Sequence, residues 1–367
     1  MGAPEPSASR TGQRSPLGTI GRAPSVGGAP GRYPPATARQ EPALTRIAVL
    51  DDYQRVARRF APFDRLPPSC EVVVFDRPLD GADGVEDGPD PVAEALRGFD
   101  VVCCMRERTA FDAARLARLP ALKLLVTSGA RNAAIDVGAA RARGVTVSGT
   151  SSPGHAASEL AWALVLGLQR HLVAEDASMR SGGWQTTVGR DCHGLTLGLL
   201  GLGRHGANVA RFGEAFGMRR IAWSTNLGPE RCAELGVELV SKAALFAESD
   251  VLSIHLVMGE RNRGLVGADE LASMRPDALL INTSRGAIVD EAALLAALRA
   301  GAIGGAGLDV YGREPLPADH PLRGAPRTLL TSHVGFVTEQ TYRTFHGESL
   351  EAIEAWLAGA PVRVIEP

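Results

Sequence analysis

LTLGLLGLGRHG, residues 195–206, is the stretch that decides the fold of this 367-residue chain. A short apolar run ends at Gly201 and passes through G-x-G-x-x-G into an amphipathic stretch over 207–217. Each glycine answers a physical need. Gly201 permits a tight turn, Gly203 lets backbone approach a pyrophosphate with no β-carbon in the way, and Gly206 lets the helix close on the strand. The helix N-terminus, which carries Arg204 and His205, then turns unpaired N–H groups and the positive end of its dipole toward the phosphates. In a chain with 42 glycines such a pattern alone reads as an ordinary loop. Its strand–turn–helix setting makes it a dinucleotide site.

Outward from this turn, short apolar runs alternate with helical segments, the pattern of parallel sheets with crossover helices. Strands are expected at 196–200, 220–223, 251–254, 278–282, 306–308 and 329–331, and ahead of the turn at 47–50, 71–75, 101–105, 122–128 and 146–148. The fold class is therefore α/β: two doubly wound parallel-sheet domains, Rossmann-like and flavodoxin-like, with an interdomain cleft. A helix of about twenty residues starting near His155, apolar nearly all round through Trp162 and Leu166, reads as a buried connector. A helical tail after Val334, with Leu350, Ile353, Trp356 and Leu357 on one face, reads as returning to the first domain. The expected division is a substrate domain over 43–149 and 334–367 and a nucleotide-binding domain over 150–333.

Composition narrows the partners. A net charge of −2 with 22% charged residues gives no field to recruit nucleic acid or an anionic membrane, so a small molecule is the expected partner. There is no apolar run of about 18 residues and no apolar middle section of a secretory signal. The five cysteines have no metal-ligand spacing, and Cys103 and Cys104 sit in a buried-looking run, which fits a reduced, cytoplasmic protein without a metal. Residues 1–42, rich in Gly, Pro, Ala, Ser and Arg, read as a disordered tail; a targeting sequence is the competing reading, but amphipathic periodicity is lacking.

The adenosine end of the site departs from the usual pattern. An acid about 20 residues past the turn ordinarily bonds the ribose 2′-hydroxyl, whereas here the next strand ends Ala222-Trp223-Ser224-Thr225-Asn226. Ser224 and Asn226 can bond a hydroxyl without repelling a 2′-phosphate, and the nearest downstream arginine is Arg231. NAD is expected, with NADP possible.

Three polar residues follow strand ends farther on: Arg285 in INTSRGAIVDE, Glu314 in GLDVYGREPLP and His333 in TSHVG. Reduction of a 2-keto acid needs a fixed cation for the carboxylate, a proton donor for the carbonyl oxygen and a hydride aimed at the carbonyl carbon. Arg285 can grip a carboxylate with its planar fork. His333 can give or take the proton, and Glu314 beside it would hold the imidazole in the right tautomer. Singly, each reads as a turn or surface residue; together they read as a catalytic set.

These segments, LGLLGLGRHG, NTSRGAIVDE, GLDVYGREPLP and SHVGF, resemble in order the D-2-hydroxyacid dehydrogenase family, with Arg285 and Glu314 standing 29 positions apart as the family has them. The resemblance runs from about Leu44 to the C-terminus. It implies a substrate domain built from both chain ends and a homodimer formed largely through the nucleotide domain. It also implies that Thr283, Asp309 and Gly335 belong to the cofactor pocket and that 127–130, with Ser128, Gly129 and Ala130, faces substrate and cofactor. Formate dehydrogenases of the family carry glutamine where Glu314 stands, so a 2-keto/2-hydroxy acid is the implied substrate. Ala130-Arg131-Asn132 departs from the commoner Gly-x-Asp-Asn, and Arg106 in MRERT offers a second arginine to a phosphate or distal carboxylate. The rival function is a non-enzymatic regulator that senses NADH on the same scaffold.

Overall fold

The computed structural model describes residues 44–79 and 89–367; the tail expected over 1–42 lies outside them. Five strands, β1 (Thr45–Val49), β2 (Cys70–Val74), β3 (Val101–Cys104), β4 (Leu124–Thr127) and β5 (Thr146–Gly149), form one parallel sheet in the order β2-β1-β3-β4-β5. Seven more, β6 (Thr196–Leu200), β7 (Arg219–Trp223), β8 (Glu238–Leu239), β9 (Val251–Ile254), β10 (Leu279–Asn282), β11 (Gly305–Leu308) and β12 (Thr328–Leu330), form a second parallel sheet, ordered β12-β11-β10-β9-β6-β7-β8. The chain order reverses between β1 and β3 in the first sheet and between β6 and β9 in the second. Such switch points open crevices at the carboxyl ends of the strands, where ligands of doubly wound folds bind.

The inner strands read as continuous apolar runs because both faces are covered. In the second sheet Leu200, Leu252, Ile254 and Leu280 pack on one side, while Leu197, Leu199, Val251 and Ile281 meet Leu164 and Val165 on the other. In the first sheet Ala48, Val102, Leu125 and Val147 pack with Phe111 and Leu116, and the opposite face, Ile47, Val49, Leu124 and Val126, receives Leu350 and Ile353. The helix Glu339–Leu357, which follows β12 in the chain, thus covers the first sheet; Trp356 is only half-buried there and Leu357 is exposed.

Two features differ from the sequence reading. The connector is two helices, Ala156–Gln169 and Leu172–Arg180, separated at His171, whose backbone is left-handed (φ +51°). The first buries Ala161, Leu164 and Val165, but the second buries nothing and exposes Leu172, Val173 and Met179. The other is β8, two exposed residues at the sheet edge, too short for an apolar pattern to reveal. No helix among the described residues is long and apolar enough to cross a membrane.

Candidate active site

The glycine turn has the form its sequence requires. Gly201 has φ +100°, and a β-carbon there would come 2.8 Å from the His255 carbonyl oxygen. At Gly206 a β-carbon would stand 2.2 Å from the Gly201 oxygen, whereas at Gly203 nothing lies within 4 Å. Asp90, Asp112, Asp136, Ser241, Asp290 and Thr338 cap their helices by accepting backbone N–H bonds. The helix Arg204–Ala215 has Gly203 at its cap and no capping side chain, so its first N–H groups remain available to an anion. The open approach at Gly203 and the uncapped helix end fit the pyrophosphate of a dinucleotide.

Around this turn, His205 is half-buried and its Nδ1 lies 3.1 Å from Ser158 Oγ. Burial, with the charges of Arg204, Arg106 and His155, keeps the imidazole below its ordinary pKa. His255 is likewise pushed down to about 3, chiefly by burial. Arg204 is exposed, its guanidinium beside Gly154 in the crossing between the sheets. Beyond β7, Ser224 is half-buried and Asn226 exposed. Arg231 Nε lies 3.4 Å from the Leu202 carbonyl oxygen, placing that arginine over the glycine turn while its Nη1 donates to Glu234.

Arg285, Glu314 and His333 line one cleft of about 810 Å³. Arg285 follows β10 and is held from both sides: Asn282 Nδ2 donates to its carbonyl (3.0 Å), and Ser284 Oγ donates to the Ile254 carbonyl (2.8 Å). Thr283, between them, is half-buried. The Arg285 guanidinium donates to the Ser284 carbonyl (2.7 Å) and across the cleft to Glu107 Oε2 (2.6 Å). Gly286 is required by packing, because a β-carbon there would lie 2.0 Å from the Tyr311 carbonyl carbon.

His333 (φ +54°) sets its Nδ1 2.5 Å from Glu314 Oε2, while Glu314 Oε1 accepts from the Tyr311 N–H (2.9 Å). Burial raises the Glu314 carboxyl, but the His333 hydrogen bond and charge, the Tyr311 N–H and Arg108 outweigh it and hold the group below the usual carboxylate range. Asp309, buried at the end of β11, accepts from Thr331 Oγ1 (2.6 Å), Val334 N (2.8 Å) and Gly335 N (2.8 Å). It thereby fastens the turn that presents His333. Burial still raises its pKa despite those bonds.

The first sheet supplies the opposite wall. Arg106 (φ +54°) donates its N–H to Ser128 Oγ (2.8 Å) and its guanidinium to the Ser128 carbonyl (3.3 Å). Gly129 (φ +99°) donates to Thr150 Oγ1 (2.8 Å), and Ala130 is exposed. Arg106 lines the same cleft as Arg285, Glu314 and His333, whereas Ser128, Gly129 and Ala130 are not among its lining residues. Sequence reasoning missed Tyr53, Glu107 and Arg108, which also line the cleft. Arg108 lies 4.5 Å over the Tyr53 ring, and Tyr53 donates to the buried Asp51 (2.9 Å). The charged run MRERT was the signal available; which charge faces which was not.

Comparison with known proteins places this geometry. Residues 162–335 match the family model "D-isomer specific 2-hydroxyacid dehydrogenase, NAD binding domain". The chain is 36% identical over 303 residues to D-3-phosphoglycerate dehydrogenase of Mycobacterium bovis, covering 81% of this chain and 56% of that protein. It thus spans a little over half the length of that relative. Glycerate dehydrogenase of Methylorubrum extorquens is 32% identical over 289 residues, 76% of this chain and 89% of that protein. Among solved structures, the phosphoglycerate oxidoreductase from Vibrio cholerae O395 superposes with a TM-score of 0.78 at 34% identity, over 86% of this chain and 100% of that one. With its NAD-binding half recognised and relatives of full length above 30% identity, the chain belongs to the D-isomer specific 2-hydroxyacid dehydrogenase family.

Proposed function

We propose that the chain is an NAD-dependent dehydrogenase interconverting 2-keto acids and D-2-hydroxy acids. The observation that carries this reading is the convergence of Arg285 with the hydrogen-bonded His333–Glu314 pair on one cleft. When bound at the glycine turn, the nicotinamide cofactor supplies or accepts the hydride. Arg285 grips the substrate carboxylate with its planar fork, after parting from Glu107. His333 delivers the proton to the carbonyl oxygen in reduction and takes it back in oxidation. Glu314, engaged with Nδ1, orients the ring and leaves Nε2 for that transfer. Arg106 faces the substrate from the first sheet. Relatives named for phosphoglycerate and glycerate support the acid class.

The same proposal divides the chain into a substrate domain over 43–149 and 334–367 and a nucleotide domain over 150–333. It makes the protein a cytoplasmic homodimer. The dimer is supported by an exposed apolar run on the segment after His171: Leu172, Val173, Met179, Trp184 and Val188. NADP use is supported by the lack of a carboxylate at Ser224 and by Arg231 over the glycine turn.

The test follows cofactor absorbance with the full chain, NADH or NADPH, and a panel of glyoxylate, hydroxypyruvate, pyruvate and longer 2-keto acids. His333→Ala is expected to lower kcat by about 10²–10⁴-fold while NADH still binds, and Arg285→Ala to raise KM and lower kcat together. Unchanged turnover in the His333 variant refutes the reading. A silent panel with NADH bound favours the regulator.

A further inference from the structure

The cleft is rich in cations and poor in free anions. Among the described residues, Arg106, Arg108, Arg285 and Arg323 line it together with His333, against two carboxylates, Glu107 and Glu314. Glu314 is committed on both oxygens, to His333 and to the Tyr311 N–H. Among the described residues Glu107 is therefore the lining carboxylate outside the acid/base pair, and it reaches 178 positions along the chain to the Arg285 guanidinium, 2.6 Å away. Both side chains are half-buried, 34% and 27% exposed, so water screens this pair somewhat less than a fully exposed ion pair.

The loop holding Glu107 is pinned on either side. The Arg106 N–H donates to Ser128 Oγ, and its carbonyl accepts from Asn132 Nδ2 at 2.6 Å. The Arg108 guanidinium lies over the rings of Tyr53 (4.5 Å) and Phe336 (5.2 Å). With the backbone fixed, a substrate carboxylate that takes the fork of Arg285 can displace only the Glu107 side chain. That negative charge stays in the cleft, among the guanidinium groups a second substrate anion would need. Burial lowers the Arg106 pKa, the Glu107 charge opposes that, and the charges of Arg285 and Arg204 add to it, so without Glu107 this wall would attract a doubly anionic acid.

We infer that Glu107 sets the substrate class of the cleft: it admits 2-keto and 2-hydroxy acids whose only anion is the reacting carboxylate and excludes those with a distal phosphate or second carboxylate. The inference rests on the dehydrogenase reading above. Specificity of this kind comes from repulsion of the wrong ligand as much as from attraction of the right one. A neutral tail, by contrast, meets a carboxylate able to accept a hydroxyl hydrogen bond.

The test compares kcat/KM for hydroxypyruvate and pyruvate with that for phosphohydroxypyruvate and 2-oxoglutarate, in the wild-type chain and in Glu107→Gln, Glu107→Ser and Glu107→Asp. Wild type is expected to prefer the neutral tails. The Gln and Ser variants raise the anionic-to-neutral ratio by about tenfold or more, and Asp keeps the wild-type order. A wild type that takes phosphohydroxypyruvate as well as hydroxypyruvate, or an unmoved ratio in Glu107→Gln, overturns the inference. If every variant is silent on every acid, the dehydrogenase reading fails first. Glu107 is then judged by binding of oxamate and phosphoglycolate to the NADH complex, followed by cofactor fluorescence. Tighter phosphoglycolate relative to oxamate in Glu107→Gln supports it, and an equal ratio overturns it.

Discussion

Gly286→Ala tests whether the convergence of Arg285 with the His333–Glu314 pair is what the chain is built for. A methyl at this position would stand 2.0 Å from the Tyr311 carbonyl carbon, 2.2 Å from its oxygen and 2.5 Å from Gly312 N. All three are backbone atoms, so no rotamer change relieves the clash. Reaching ordinary contact at 3.4 Å requires the turn after β10 and the loop after β11 to part by 3.4 − 2.0 = 1.4 Å. The first of these carries Arg285. The second carries the Tyr311 N–H that holds Glu314, and the Tyr311 hydroxyl that donates to the Thr331 carbonyl two residues before His333. Overpacking of this kind costs about 1–3 kcal/mol of stability. A displacement of about 1 Å between reacting groups costs roughly 10²-fold in rate. The assay is kcat/KM for the best acid of the panel, with NADH affinity and the thermal melt measured on the same preparation. The expected result is a fall of about a hundredfold in kcat/KM, with NADH still bound through the glycine turn, which lies on another strand. A folded Gly286→Ala enzyme with wild-type kcat/KM would refute the reasoning.

Because Glu314 is held below its ordinary carboxylate value of 4.5, its stabilising contribution is present above that value and is lost as pH falls through the depressed folded-state value. The melting difference between wild type and Glu314→Gln should accordingly be flat at neutral pH and close only on the acid side of 4.5; a gap closing near neutrality would count against the pairing. Ser224→Asp puts a carboxylate where a 2′-phosphate would lie, so kcat/KM with NADPH should fall relative to NADH by about tenfold or more, and an unchanged ratio would place the adenosine ribose elsewhere. Trp184→Glu, in a side chain 73% exposed, should convert dimer to monomer in sedimentation at micromolar protein; a chain monomeric from the outset, or a variant that stays dimeric, would refute that assignment.

Much of the architecture was legible because its determinants are local. Glycines at 201, 203 and 206 act within one turn, and apolar runs such as Val251–Ile254 and Leu279–Asn282 are buried on both faces, so their composition alone marks them as inner strands. Arg285, Glu314 and His333 were legible for a related reason: each follows a strand whose end is marked by a change from apolar to polar residues. The break at His171 was not, because no glycine or proline announces it, and the exposed histidine takes a left-handed backbone that non-glycine residues seldom adopt. Only the tertiary structure decided which charges meet. Glu107 and Arg285 are 178 positions apart and belong to different sheets, and Gly286 is required by a loop after another strand. Pairings of that kind depend on where two sheets come to rest against each other, a property of the summed packing of both cores that no single window of residues contains.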